Sequence, residues 1–216
     1  VSVRALLPPV LPAAGPGAWG VRRAARLVFP EPSALAADPV HAARLRRYLA
    51  DLLSPYGLPA PAGLPPGGQS YGEMAEALVR EVVPAGEEVD LLVLAHSVPD
   101  LAPGRATACR LAHVCPGGPL SFAVTGPDGT AAATALRLLT AYADTAGLRR
   151  ALLLVVEQDW LPYDPGVPVA VPEVSRGVAL LFGDPLPGER VVRPALTGPA
   201  RPGTGPWWEL AAEVSR

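Results

Sequence analysis

Two runs, Val89–Ala95 (VDLLVLA) and Ala151–Glu157, are apolar almost throughout and too short for core helices. Such runs suit strands buried on both faces of a sheet. The segments around them read as helices and further strands. Ser70 and Glu73 form S-x-x-E, a capping box that opens a helix to about Val83. Thr107–Val114 reads as a short helix and Leu120–Val124 as a strand. Thr130–Ala146 is an Ala-rich helix closed by Gly147, and Gly177–Phe182 is a last apolar strand. From residue 70 to 182 the order is α-β-α-β-α-β-β, which predicts a largely parallel sheet with helices packed on it. Upstream, Val1–Val10 reads as a first strand ended by Pro8 and Pro9, followed by a loose segment. Asp38–Leu53 is an amphipathic helix, with Val40, Leu45, Leu49 and Leu52 at helical spacing. Tyr56–Gly68 is a Pro/Gly linker or long loop, and the tail from Pro185 is again Pro/Gly-rich, with Trp207–Val214 a strand or a short helix. The expected organisation is one domain over 1–184, with a Pro/Gly-rich insertion at about 54–69, and a tail over 185–216.

Composition narrows the function classes. A chain of 216 residues can build a full core. It carries 22 Gly and 28 Pro, close to a low-complexity composition, yet the apolar runs mark a folded domain. The net charge of −2 argues against a nucleic-acid binder, which needs a basic surface. Two cysteines exclude a disulfide-dense secreted scaffold. No apolar run approaches the ~20 residues that span a bilayer. The prolines within Val1–Gly20 make a poor signal peptide, so a soluble cytoplasmic protein is expected. There is no Lys, no Ile and no Asn.

Few motifs carry chemistry. Gly68-Gln69-Ser70-Tyr71-Gly72 matches G-x-S-x-G, but a nucleophile elbow needs a strand before it, and a Pro-rich loop stands there. Ser70 is better explained as a helix cap. Gly15–Gly20 matches G-x-G-x-x-G without the strand-turn-helix unit of a dinucleotide site. Cys109, His113 and Cys115, with His96, have no familiar zinc spacing. No cofactor and no metal is therefore expected. Asp128 lies between a strand and the N-terminus of a helix, where an acidic cap is favoured and where a strand can also deliver a reactive side chain. Arg44, Arg46 and Arg47 read as a solvated helix face or a docking site for an acidic partner. Trp207 and Trp208 read as core covering, and Glu157 and Asp159 as a polar loop.

Asp90-Leu91-Leu92-Val93-Leu94-Ala95-His96-Ser97-Val98-Pro99-Asp100 resembles the strand-and-loop segment of 3-oxoacyl-carrier-protein synthase III, in the thiolase superfamily. Arg105–Leu111 is similar to that family's helix before the nucleophile strand. Phe122–Gly129 falls where the family carries its active-site cysteine, and Arg176–Phe182 matches its Gly-Asp-Gly-Ala-type strand. The resemblance covers about residues 70–183. It implies an α/β fold: a single thiolase-like half, with a mixed, mostly parallel five-stranded sheet flanked by helices.

The departures bear on activity. By segment, Asp128 stands at the cysteine position, and a carboxylate is a far weaker nucleophile toward thioesters than a thiolate. The family's His and Asn come from a second half, for which the chain past Gly183 is too short. His41, His96 and His113 all lie early, and Asn is absent. The Cys-His-Asn machinery of a condensing enzyme is thus not assembled from this chain alone. The resemblance implies a half-fold with an uncovered partner-facing surface and an edge strand at Leu120–Val124 that invites pairing.

The expected assembly is a homodimer or a heterodimer with a ketosynthase-like protein, with acyl carrier protein or acyl-CoA as further partners. The expected function is a non-catalytic or atypical ketosynthase-like subunit in fatty-acid or polyketide-type biosynthesis. The alternatives are an acyltransferase or thioester hydrolase using Asp128, His96 and Cys109, and a non-enzymatic α/β binding domain.

Overall fold

The computed structural model describes residues 19–60, 68–104, 106–126, 130–161, 163–164, 166, 168–187, 191–194 and 204–215. The strand expected at Val1–Val10 lies outside them. Five strands form one sheet: β1 (Gly20–Phe29), β2 (Leu91–His96), β3 (Leu120–Thr125), β4 (Arg150–Glu157) and β5 (Ser175–Gly183), in the spatial order β1-β5-β4-β2-β3. β2 pairs in parallel with both β3 and β4, while β5 runs antiparallel to β4 and β1. The helices are α1 (Pro39–Leu53), α2 (Tyr71–Val82), α3 (Thr107–Val114), α4 (Thr130–Ala146) and α5 (Gly205–Val214). No helix among the described residues is long and apolar enough to cross a membrane.

Side-chain alternation sorts the core into two faces. On one, α2 and α3 cover Leu92, Leu94, Leu152, Leu154 and Val156. On the other, α4 covers Leu91, Val93, Ala95 and Val155 with Ala131, Ala132, Ala135, Leu136 and Leu139. The central strands are buried on both faces, as their unbroken apolar sequences require. A third, smaller cluster seats α1, through Leu45, Leu49 and Leu53, against Leu101 and Trp160.

Two expectations are corrected. The segment read as loose contains β1, an edge strand. Its register shifts between Val21 and Arg23, so Arg22 is a bulge residue that breaks the alternation. Arg22 turns inward and pairs with Glu87 at 3.0 Å. The face expected to lie open is also partly closed. α5 lies over β1 and β5 beside α4, burying Ala211 and half-burying Trp207, Trp208, Leu210 and Val214.

The helix ends follow their sequence signals. Asp38 caps α1, its Oδ1 accepting from Val40 N at 2.9 Å. Ser70 Oγ accepts from Glu73 N at 3.4 Å. The Glu73 carboxylate does not complete a reciprocal box; it takes a 2.6 Å hydrogen bond from the Ser33 hydroxyl.

Candidate functional site

The C-terminal ends of β2, β3 and β4 lie together, where ligands of α/β sheets gather. Strand parity splits the polar groups there between the two faces. His96 ends β2 one residue after Ala95, which faces α4, so its ring turns to the α2 face. It packs on Tyr71 with ring centroids 4.9 Å apart. Its Nδ1 lies 2.9 Å from the Val98 carbonyl. A carbonyl only accepts, so Nδ1 carries the proton and Nε2 is the lone-pair nitrogen. Burial lowers the His96 pKa, against an opposite push from the Val98 carbonyl and Asp100, so the ring is neutral near pH 7. Tyr71 OH donates to the same carbonyl at 3.1 Å. Burial, then Asp100 and Glu157, raise its pKa well above the usual phenol value, so it stays protonated.

Asp100 organises this face. Its Oδ1 accepts from Tyr71 N at 3.0 Å and Ala102 N at 3.1 Å, and its Oδ2 accepts from Thr107 Oγ1 at 2.9 Å. One carboxylate thus joins the exit of β2 to the first turns of α2 and α3. Ala106, just before α3, holds φ at +43°, a left-handed conformation uncommon without glycine. Gln158 is buried, and its Nε2 donates to the Pro99 carbonyl at 2.7 Å.

The α4 face carries a small hollow lined by Ala95, Ser97, Ala131, Ala132, Val155 and Glu157. His96 and Val156 also border it, although their side chains belong to the other face. Its cavity volume, about 10 Å³, is close to the least that admits one water. Glu157 is the acidic residue there. Its Oε2 accepts from Arg176 Nε at 3.2 Å and from Thr204 Oγ1 at 2.7 Å. Arg176 is its cross-strand neighbour on β5, and Thr204 is the buried residue that opens α5.

The sequence-derived candidates are dispersed. His96 faces α2. Cys109 is exposed on α3, and its carbonyl accepts from His113 Nδ1 at 3.0 Å. Cys115 is buried, and burial pushes its thiol up to about 11. Asp128 lies outside the described residues. No group of three His, Cys, Asp or Glu among the described residues could hold a metal ion. Glu157, a polar-loop residue by sequence, is the last residue of β4. The available signal was its place as the first acidic residue after a buried apolar strand that ends at the carboxyl edge of a parallel sheet.

No family profile and no curated protein sequence matches the chain. Solved structures do. A structure of ChlB3, an acyltransferase, aligns with a TM-score of 0.50 at 18% identity, over 78% of this chain and 51% of that one. The Xanthomonas campestris OleA structure with bound lauric acid and lauroyl-CoA gives 0.47 at 13%, over 77% and 56%. The 3-oxoacyl-(acyl carrier protein) synthase III FabH from Pseudomonas aeruginosa gives 0.45 at 21%, over 79% and 52%. The chain therefore spans about half the length of the structures it matches. At these identities the likeness speaks to fold alone. With the five-stranded mixed sheet and its flanking helices, it gives this chain the fold of a single thiolase-like half.

Proposed function

We propose that this chain is a thiolase-fold subunit of fatty-acid or polyketide-type biosynthesis, which helps a partner hold acyl thioesters and runs no condensation of its own. The observation that carries this reading is the β3 edge of the sheet. β3 pairs only with β2 among the described residues, and its sequence, LSFAVT, holds no charge. Its first residue, Leu120, is 56% exposed, and the neighbouring helices α3 and α4 expose Val114 (44%), Leu138 (39%) and Tyr142 (38%). An uncharged edge with no second strand neighbour among the described residues, and with an apolar flank, favours the addition of another strand. The cysteines agree with a non-condensing role: Cys109 sits on α3 and Cys115 is buried, so neither opens α4.

Light scattering on the purified protein, with mild affinity purification from the source, tests the reading. The expected result is a dimer, or recovery of a ketosynthase or carrier protein in near-equal amount, lost in the Leu120→Arg/Ala123→Asp variant. A monomer that retains neither protein overturns it.

A second reading, thioester hydrolysis or acyl transfer by the chain itself, draws support from His96, whose committed Nδ1 leaves Nε2 as a base. It requires turnover of an acyl thioester that His96→Ala or Asp128→Ala abolishes.

A further inference from the structure

Glu157 lines the α4-face hollow, and among the described residues one of its two carboxylate oxygens is in use. Both hydrogen bonds to Glu157 end on Oε2, and no group among the described residues bonds Oε1. The carboxylate is an acceptor only. The Arg176 guanidinium beside it offsets its charge locally, and Ala95, Ala131, Ala132 and Val155 make an apolar wall. A cationic ligand would meet Arg176, and an anionic one would meet Glu157. A neutral N–H or O–H donor on an apolar body suits both. With room for about one water, the hollow admits a single donor group of a molecule lying across its mouth.

We propose that Glu157 Oε1 is the ligand-facing acceptor of this hollow, and that it receives the amide N–H of the arm of an acyl thioester. Arg176 and Thr204 are positioning residues: they fix Oε2 and so aim Oε1. The assignment of a thioester rests on the reading in the preceding subsection; the acceptor role rests on the hollow itself.

The isosteric variant Glu157→Gln gives a sharp test. Arg176 Nε and Thr204 Oγ1 both need an acceptor, so the amide oxygen takes the Oε2 place. The NH₂ then takes the Oε1 place, and an acceptor becomes a donor facing the ligand's own N–H. Titration calorimetry with S-acetyl pantetheine, which has amide N–H groups, is compared with S-ethyl thioacetate, which has none. The wild type is expected to favour S-acetyl pantetheine. Glu157→Gln should weaken it about tenfold or more, at an unchanged circular dichroism spectrum. Thr204→Val should weaken it about threefold by loosening the carboxylate. Neither variant should alter the response to S-ethyl thioacetate. Glu157→Ala, which removes the acceptor without adding a donor, should fall between wild type and Gln. Wild-type affinity for S-acetyl pantetheine in both the Gln and Ala variants overturns the proposal, as does a wild type that binds neither compound. The subunit reading stands or falls separately: a dimer that binds no thioester refutes only the Glu157 assignment, and a monomer whose binding depends on Glu157 refutes only the assembly.

Discussion

Replacing Asp100 with Ala removes the acceptor for two backbone N–H groups and one hydroxyl at once. Tyr71 N belongs to the first turn of α2, where no helical carbonyl can receive it, and Tyr71 is 1% exposed. Ala102 is 3% exposed, so water reaches its N–H poorly. Leaving a buried donor unpaired costs about 1–3 kcal/mol, and the Thr107 bond adds somewhat less because its hydroxyl can turn. The three share one carboxylate and do not sum freely. The net expectation is a loss of about 3–5 kcal/mol. Asp100→Asn separates hydrogen bonding from packing. Its amide oxygen keeps both N–H groups at the Oδ1 position, and its NH₂ meets a Thr107 hydroxyl that can accept as well as donate. The expected cost is about 1 kcal/mol. Urea unfolding followed by tryptophan fluorescence should show a midpoint lowered by about 1–2 M for Ala and by about half a molar for Asn, at constant slope. An Ala variant within about 1 kcal/mol of wild type, or an Asn variant as damaged as Ala, would refute this account of the α2 face.

Other expectations concern single groups. The His96 pKa is lower in the folded chain than in the unfolded one, so below about pH 6.5 the unfolded state binds the proton first and stability falls with pH. Against His96→Gln, wild-type unfolding free energy should therefore drop between pH 7.5 and 5.5; equal pH profiles would remove the neutral-histidine assignment. Cys109 is exposed, whereas Cys115 is buried with its thiol raised to about 11. Iodoacetamide on the folded protein should give one adduct, on Cys109, by mass spectrometry, and two only after unfolding. Glu87→Ala takes a carboxylate from both Arg22, whose side chain is 1% exposed, and Arg150, and should cost about 1.5–3 kcal/mol by urea unfolding. The double change Arg22→Met/Glu87→Leu should recover most of that loss.

Which parts of the fold the residues reveal follows from how each part is stabilised. β2, β4 and α4 are legible because an all-apolar run or an Ala-rich helix capped by glycine carries its own signal. β1 is not. Val21 and Ala24 face α4 and Ala25 faces α2, since the bulge at Arg22 shifts the phase between them, and the two adjacent arginines look like solvated surface. Arg22 turns inward in the fold to pair with Glu87, far along the chain. α5 has Trp207, Leu210, Ala211 and Val214 at helical spacing, but a run this short reads equally as a strand until β1 and β5 supply the surface it covers. The site has the same difficulty in sharper form. Strand order brings the ends of β2 and β4 together, yet strands that are apolar on both faces hide which residues share a face. His96 and Glu157 both follow such runs, and the packing of the strands, with the Tyr71 stack and the Thr204 bond, places them on opposite sides.

That separation bears on where chemistry belongs. On the α2 face the polar atoms are largely committed: both Asp100 oxygens, the Tyr71 hydroxyl and His96 Nδ1 all hold partners, while His96 Nε2 has none among the described residues. Groups so committed fix geometry, because each lost bond would leave a buried donor or acceptor unpaired. Gln158 Oε1 also lacks a partner among the described residues, but it is sealed inside the protein, so no ligand approaches it. Glu157 lines an opening, and among the described residues its Oε1 has no partner, while its other oxygen is held by two donors that an incoming molecule need not displace. Such an oxygen binds a ligand without first giving up an internal bond. This favours the α4 face as the recognition side of the sheet and assigns the α2 face to support.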